Sequence, residues 1–254
     1  MITDVNVHLS RWPFRRLPED STPRLAERLR RNGVTQAWAG SFDALLHRDI
    51  ATVNSRLTEE CRGSGGLLLP FGTVNPILPD WKEDLRRCVE VHRMPGIRLY
   101  PNYHGYTLGD GIAAELLSLA DERSLIVQIV AKMEDERTQH PLVRVPAVNL
   151  KSLVALVKSR PKLRVVVLNG LMPLQSQLVG ELAAAGNVSF DIATLEGVGG
   201  ITNLLKAAPL ERILFGSHAP FFVWESAQLK LKESELGAHQ SDAITHENAK
   251  RLLP

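Results

Sequence analysis

The sequence reads as a (β/α)8 barrel, an α/β fold formed by one domain over residues 1–254, and three observations predict it. Strand-like and helix-like segments alternate from end to end. The strand-like runs are almost continuously apolar, as a parallel sheet covered by helices requires. Polar-tipped strands stand at both chain ends, Ile2-Thr3-Asp4-Val5-Asn6-Val7-His8 and Arg212-Ile213-Leu214-Phe215-Gly216-Ser217-His218-Ala219-Pro220, and a closed barrel brings such ends together. With 254 residues, 44% of them hydrophobic, the chain has the length and core for such a barrel, which commonly runs to about 250 residues. An open doubly wound sheet is the alternative.

Strict alternation along the first strand predicts Asp4, Asn6 and His8 on one face and Val5 and Val7 on the other. Ser21-Thr22-Pro23 starts a helix whose apolar spacing, Leu25 and Leu29, stops at Gly33. Residues 35–39 form strand two, 50–61 a helix, and 67–74 strand three, closed by Asn75-Pro76. A helix over 81–92 precedes strand four at 96–100, and a helix over 112–123 precedes strand five at 125–130, apolar apart from Gln128. Helix 148–159 leads to strand 163–168, helix 174–185 to strand 188–192, and helix 200–207 to strand 213–215. Helices around 225–235 and 242–253 finish the chain. Between the fifth strand and the next helix lies a long charged loop, 131–147, the candidate lid or clamp.

The formal net charge of +2 is interspersed, which argues against nucleic acid or a membrane surface as partner; the basic clusters Arg11–Arg16 and Arg28–Arg31 read as solvated faces. Two cysteines, Cys61 and Cys88, fit half-buried thiols in a reducing, cytoplasmic setting. No apolar run reaches the ~18 residues that span a bilayer.

In a barrel of this kind the site lies on the loops after the strands. Those ends present Asn6 and His8, Ser41 and Asp43, Asn75, Tyr100 and His104, Asn169, Asp191 and Thr194, and His218. His8 and His218 are the foremost catalytic candidates, with Asn169 and with Asp191 as a base or a partner for Arg98. Arg98 is positioned to pair with a substrate carboxylate or a barrel acid, and Tyr100 and His104 lie in an aromatic-rich loop suited to a planar substrate. Arg137 and His140, on the charged loop, could clamp a polar ligand. Asp4 is placed on the barrel floor, and His47, His92, His239 and His246 at the surface.

These residues resemble the amidohydrolase superfamily, in its group of hydrolases, decarboxylases and lactonases, over essentially the whole chain. Ile2 to His8 stands where that family has an Ile-Asp-x-His-x-His opening, and Phe215-Gly216-Ser217-His218-Ala219-Pro220 where it reads Phe-Gly-Ser-Asp-x-Pro. Gly72 to Pro76, Gly96-Ile97-Arg98-Leu99-Tyr100-Pro101 and Glu247-Asn248-Ala249-Lys250-Arg251-Leu252-Leu253 resemble further signatures. The resemblance implies a divalent metal held by first-strand histidines, an eighth-strand aspartate and a fifth-strand histidine, with a sixth-strand histidine assisting. Here those positions hold Asn6 and His8, His218, about Val130, and Asn169. What is left is at most a weak zinc or manganese site centred on His8 and His218, with His104, His140, Glu134 or Asp191 as a third ligand in a rearranged set.

The expectation is therefore a hydrolase, or less readily a carboxy-lyase, acting on a small polar or carboxylated substrate such as a lactone, amide or ring. The alternatives are a metal-free, lactonase-like enzyme and a non-catalytic ligand-binding descendant. The expected partner is a small molecule, and a homo-oligomer is compatible with the sequence.

Overall fold

A computed structural model describes residues 1–172 and 174–253. The strands are β1 (Ile2–Leu9), β2 (Val34–Ser41), β3 (Leu68–Pro70), β4 (Gly72–Thr73), β5 (Gly96–Leu99), β6 (Ile126–Val130), β7 (Arg164–Leu168), β8 (Val188–Asp191) and β9 (Ile213–Leu214). All pairings are parallel, in the orders β1-β2-β3 and β4 through β9. β3 and β4 are two halves of one strand: Pro70 lacks an N–H, and the ladder resumes after Phe71, whose N–H donates to the Ala39 carbonyl at 2.8 Å. The outer edges also meet. Val5 N–H donates to Phe215 O and His8 N–H to Ala219 O, both at 2.9 Å, so the sheet closes as an eight-stave (β/α)8 barrel.

The helices α1 (Thr22–Arg31), α2 (Ile50–Arg62), α3 (Trp81–Glu90), α4 (Pro101–His104), α5 (Gly111–Glu122), α6 (Lys151–Lys158), α7 (Ser176–Ala185), α8 (Gly200–Leu204), α9 (Glu225–Lys232), α10 (Ala238–Asp242) and α11 (Asn248–Leu252) cover the outside. Strand residues alternate between two apolar layers. Ala37, Ile97, Val127 and Val165 face the helices, whereas Trp38, Phe71, Ile126 and Val166 fill the barrel.

Several predicted segments are shorter than expected. The helix foreseen at 148–159 begins only at Lys151, and that at 200–207 ends at Leu204. The closing helix starts earlier than expected, at Ala238, and passes through a π segment, Ala243–Glu247. There the Ile244 carbonyl accepts from the Phe215 N–H at 2.9 Å. Asn248, from the closing motif, donates to the carbonyls of Leu210 and Ile213 at 2.7 and 2.8 Å and ties this end to β9. Cys61 and Cys88 are free and fully rather than half buried. Among the described residues, no helix is long and apolar enough to cross a membrane.

The first strand corrects the alternation expected of it. Asp4 pairs with Ala37 and Val7 with Ala39, so β1 carries an extra residue between them, a β-bulge. Val5 consequently packs inside the barrel with Trp38 and Phe71, while Val7 packs outward. Asp4 accepts from Ser217 N and Trp224 Nε1, both at 3.0 Å, and from Asn6 N at 3.1 Å; it fastens β1 to the β9 end rather than sitting on a shared face with His8.

Gly96 shows how tightly the staves meet. A Cβ there would press on the Ile126 carbonyl oxygen and the Phe71 ring. Gly96→Ala should lower unfolding free energy by about 3 kcal/mol in denaturant titration, since neither backbone nor a sealed ring can yield. Wild-type stability would contradict this packing.

Candidate functional site

The bulge in β1 leaves main-chain oxygens aimed into the barrel, and Arg98 on β5 answers them. Its guanidinium, fully buried, donates to Val7 O at 2.8 Å, Trp38 O at 2.9 Å and Val5 O at 3.4 Å, to Gln128 Oε1 at 2.7 Å, and to His8 Nε2 at 3.2 Å. Gln128 Nε2 gives a second bond to Val5 O at 2.8 Å. Gly40 makes the space: a Cβ there would stand 2.8 Å from Arg98 Cδ. Arg98 therefore pairs with neither a carboxylate of the barrel nor, from this position, one of a substrate. Gln128, the single polar residue of its predicted strand, was a visible signal for this arrangement.

A guanidinium only donates, so His8 Nε2 is the acceptor and its proton sits on Nδ1. That N–H is buried with no partner. Burial, then the Arg98 and His218 charges, hold the His8 imidazole well below its usual pKa. His218 lies edge-on to His8 with ring centroids 5.3 Å apart. Its Nε2–H donates to Met133 O at 2.8 Å, and its Nδ1 faces Asn169 Nδ2 at 3.3 Å. Burial brings its pKa down to about 4.

Asn6 sits where the three remaining chain segments converge. Its Nδ2 donates to Asn169 Oδ1 at 2.8 Å and to Asp191 Oδ2 at 2.7 Å, and its Oδ1 is buried without a partner. Asp191 Oδ1 also accepts from Asn169 N at 2.8 Å. Burial, the largest influence, raises the Asp191 carboxyl to about 6. Gly216 permits the approach of β9, since a Cβ there would lie 2.6 Å from Asp191 Oδ2. Asn169 and His218 both adopt left-handed backbone, φ 55° and 58°, and so does Ser10 at the end of β1. Non-glycine residues in that region gather at sites where the surroundings hold them.

Asn6, His8, Asn169, Asp191 and His218 are thus brought together, and all are fully buried. Phe221 stacks on His218, with centroids 5.0 Å apart and planes 19° apart, and Phe42 stacks on His8 at 4.8 Å. Trp12 packs edge-on against both phenylalanines. The charged loop after β6 reaches over the same residues. Besides Met133 O on His218, Lys132 O accepts from Asn169 Nδ2 at 2.9 Å. Arg15, foreseen as solvated, instead donates to the buried Glu134 at 2.9 Å and lies 5.0 Å over the Phe221 ring.

Other candidates lie apart from the pair. Tyr100 is buried, its phenol pushed up to about 12 by burial, with its ring 6.2 Å from His8. His104 Nε2 bonds the Ala44 carbonyl at 2.9 Å and supports the aromatic loop. Arg137 is exposed and engaged by Asp135 at 2.8 Å. His140 is exposed and stacks on Phe14 at 5.6 Å. Phe42, Phe221 and Phe222, which form the cover, carried no sequence signal beyond their hydrophobicity.

The donor set does not suit a divalent cation. His8 Nε2 already faces a guanidinium, His218 Nε2 carries a proton bound to a carbonyl, and Asn6 presents its NH2 to Asp191. Among the described residues, no group of three or more His, Cys, Asp or Glu side chains is arranged to hold a metal.

Residues 4–254 match the family model described as Amidohydrolase. Among solved structures, 2,6-dihydroxybenzoate decarboxylase from Rhizobium is 14% identical with a TM-score of 0.75, covering 99% of this chain and 98% of its own. A 4-oxalomesaconate hydratase from Rhodopseudomonas palustris is 16% identical at TM-score 0.74, with 100% and 96% covered. A dihydroxybenzoic acid decarboxylase from a Polaromonas species, with bound manganese and 2-nitroresorcinol, is 12% identical at TM-score 0.76, with 99% and 96% covered. No curated protein matches the sequence.

The buried acids and imidazoles pull stability in opposite directions. A His218 pKa lowered from 6.5 to about 4 contributes stability that is full above pH 6.5 and lost as pH falls toward 4. An Asp191 pKa raised from 3.8 to about 6 does the reverse: its contribution is full below pH 3.8 and lost as pH rises through 6. Asp191→Asn should therefore make the thermal midpoint fall more steeply on acidification below pH 6 than in the wild type. Parallel pH profiles for the two proteins would show that Asp191 titrates normally.

Proposed function

Since the chain belongs to the amidohydrolase family, we propose that it is a metal-independent, lactonase-like hydrolase of small carboxylated substrates. The observation that carries this reading is the Arg98 guanidinium at 3.2 Å from His8 Nε2. It supplies in fixed form the positive charge that a cation would bring, and it leaves His8 Nδ1–H as an unspent donor. His218, held neutral at physiological pH by burial, is the matching base.

In this reading a lactone or ester carbonyl accepts from His8 Nδ1–H. Water attacks the carbonyl carbon as His218 Nδ1 takes its proton, and the C–O double bond opens to an oxyanion. Collapse of that intermediate breaks the acyl–oxygen bond, and the leaving alkoxide recovers the proton from His218. Asp191, through Asn6 and Asn169, positions the base. Phe221 covers His218, so the substrate enters by turning that ring aside.

The closed aromatic cover also favours a second reading, a descendant that binds a ligand at the mouth and performs no chemistry. A panel of lactones and aryl esters, assayed on chelator-treated protein alongside elemental analysis, separates the two. We expect sub-stoichiometric metal, turnover that survives chelation, and a loss of at least about 100-fold in His8→Ala with the fold intact. Stoichiometric zinc or manganese that disappears in both His8→Ala and His218→Ala would overturn the metal-independent reading. Intact folding without turnover across the panel would leave the binding descendant.

A further inference from the structure

Beside the histidine pair, the ends of β8 and β9 and helix α9 line an open cleft of about 480 Å³ that carries two hydroxyls without a protein hydrogen-bond partner. Thr194 is 8% exposed, and its Oγ1 is buried with no hydrogen-bond partner. Ser226 Oγ lines the same cavity and is likewise without one. Lys230, half-buried on the α9 wall, gives one ammonium proton to Ala193 O at 2.9 Å. Its nearest acids, Asp191, Glu196 and Glu233, act on it only through space, and burial lowers its pKa. An ammonium with one protein partner and two hydroxyls with none therefore line this hollow together with the Glu196 carboxylate. For the buried Thr194 hydroxyl, lacking a partner is costly unless something in the cleft bonds to it.

Apart from Glu196, the remaining wall is apolar, from Met172, Leu195, Phe222 and Val223. A second cavity of about 300 Å³ shares Met172, Thr194, Glu196, Phe221 and Phe222 with the first; its further acids Glu134 and Asp135 are paired with Arg15 and Arg137, and Lys132 adds a cation. Phe221, common to both, is the ring stacked on His218. The hollow thus connects Lys230 and its two hydroxyls, with Glu196 beside them, to the cover of the histidine pair. Glu196, exposed and lining both hollows, adds a negative charge beside Lys230 and so disfavours a second anionic group on the occupant.

We infer that Lys230, Thr194 and Ser226 form the carboxylate-binding subsite of this protein, and that its ligand is a monocarboxylate with an apolar, aromatic-sized body lying along Phe222 and Met172 toward Phe221. The ammonium provides a compact charge and the hydroxyls orient the carboxylate oxygens. This gives the substrate's anionic group an anchor in place of Arg98, whose donors are engaged, and Arg137, which is bound to Asp135. The inference rests on the reading that the barrel mouth is the substrate site, but not on hydrolysis itself.

Binding of 3-phenylpropionate and of its neutral amide to the full-length protein, followed by calorimetry or ligand-observed NMR, tests it. The acid should bind at least about tenfold more tightly than the amide, as expected of a charge-assisted contact in a half-buried site. Lys230→Met should bring the acid down to the affinity of the amide, while Lys230→Arg, which keeps the charge, should retain part of the preference. Thr194→Val should weaken the acid about tenfold, and Glu196→Gln should strengthen it without changing the amide. Equal binding of acid and amide by the wild type, or no saturable binding of the acid up to its solubility limit, would overturn the subsite. So would an unchanged acid affinity in Lys230→Met. Turnover of the lactone and ester panel with no preference for the acid sinks this subsite alone, whereas acid-selective binding without turnover sinks the hydrolytic reading alone.

Discussion

A guanidinium sealed inside the barrel governs what the rest of the site can be. The β-bulge in β1 turns the Val5 and Val7 carbonyls inward, away from their sheet partners. Buried carbonyls need donors, and Arg98 with Gln128 provides them. That solution fixes a positive charge at the base of the mouth. From it follow the tautomer of His8 and the mismatch with a divalent ion, and it adds to the burial that keeps both imidazoles weakly basic. The requirement begins in backbone hydrogen bonding and ends in the chemistry available to the histidines.

Much of the fold could be read in the sequence, because strand and helix periodicities are local. Parallel strands covered on both sides are apolar throughout, and β5 to β8 stand within a residue or two of where that pattern places them. The bulge in β1 could not be seen. Asp4, Asn6 and His8 alternate as an undistorted strand would, and only pairing with β2 shows the extra residue. The π segment near the chain end has the same origin: the Ile244 carbonyl bonds Phe215, twenty-nine residues away in sequence, and helical periodicity carries no trace of that contact.

The candidate site was legible in its members but not in their connections. Strand ends pointed to His8, Asn169, Asp191 and His218, and the barrel brings all four together. The role of Arg98 was hidden because an arginine in an apolar strand looks the same whether it awaits an anion or serves main-chain oxygens. The aromatic cover was hidden too, since Phe42 and Phe221 look like ordinary core residues until their rings are found stacked on imidazoles. Arg15 and Lys230 sit among charges that face solvent, and only tertiary packing separates them from their neighbours.

The loop after β6 grips this polar centre through the carbonyls of Lys132 and Met133, not through side chains. Every amino acid supplies that same oxygen. Mutation can therefore alter the outward chemistry of the loop while its hold on Asn169 and His218 stays constant. The fold thus holds this loop by its main chain and leaves its side chains free to change without loosening the histidine pair.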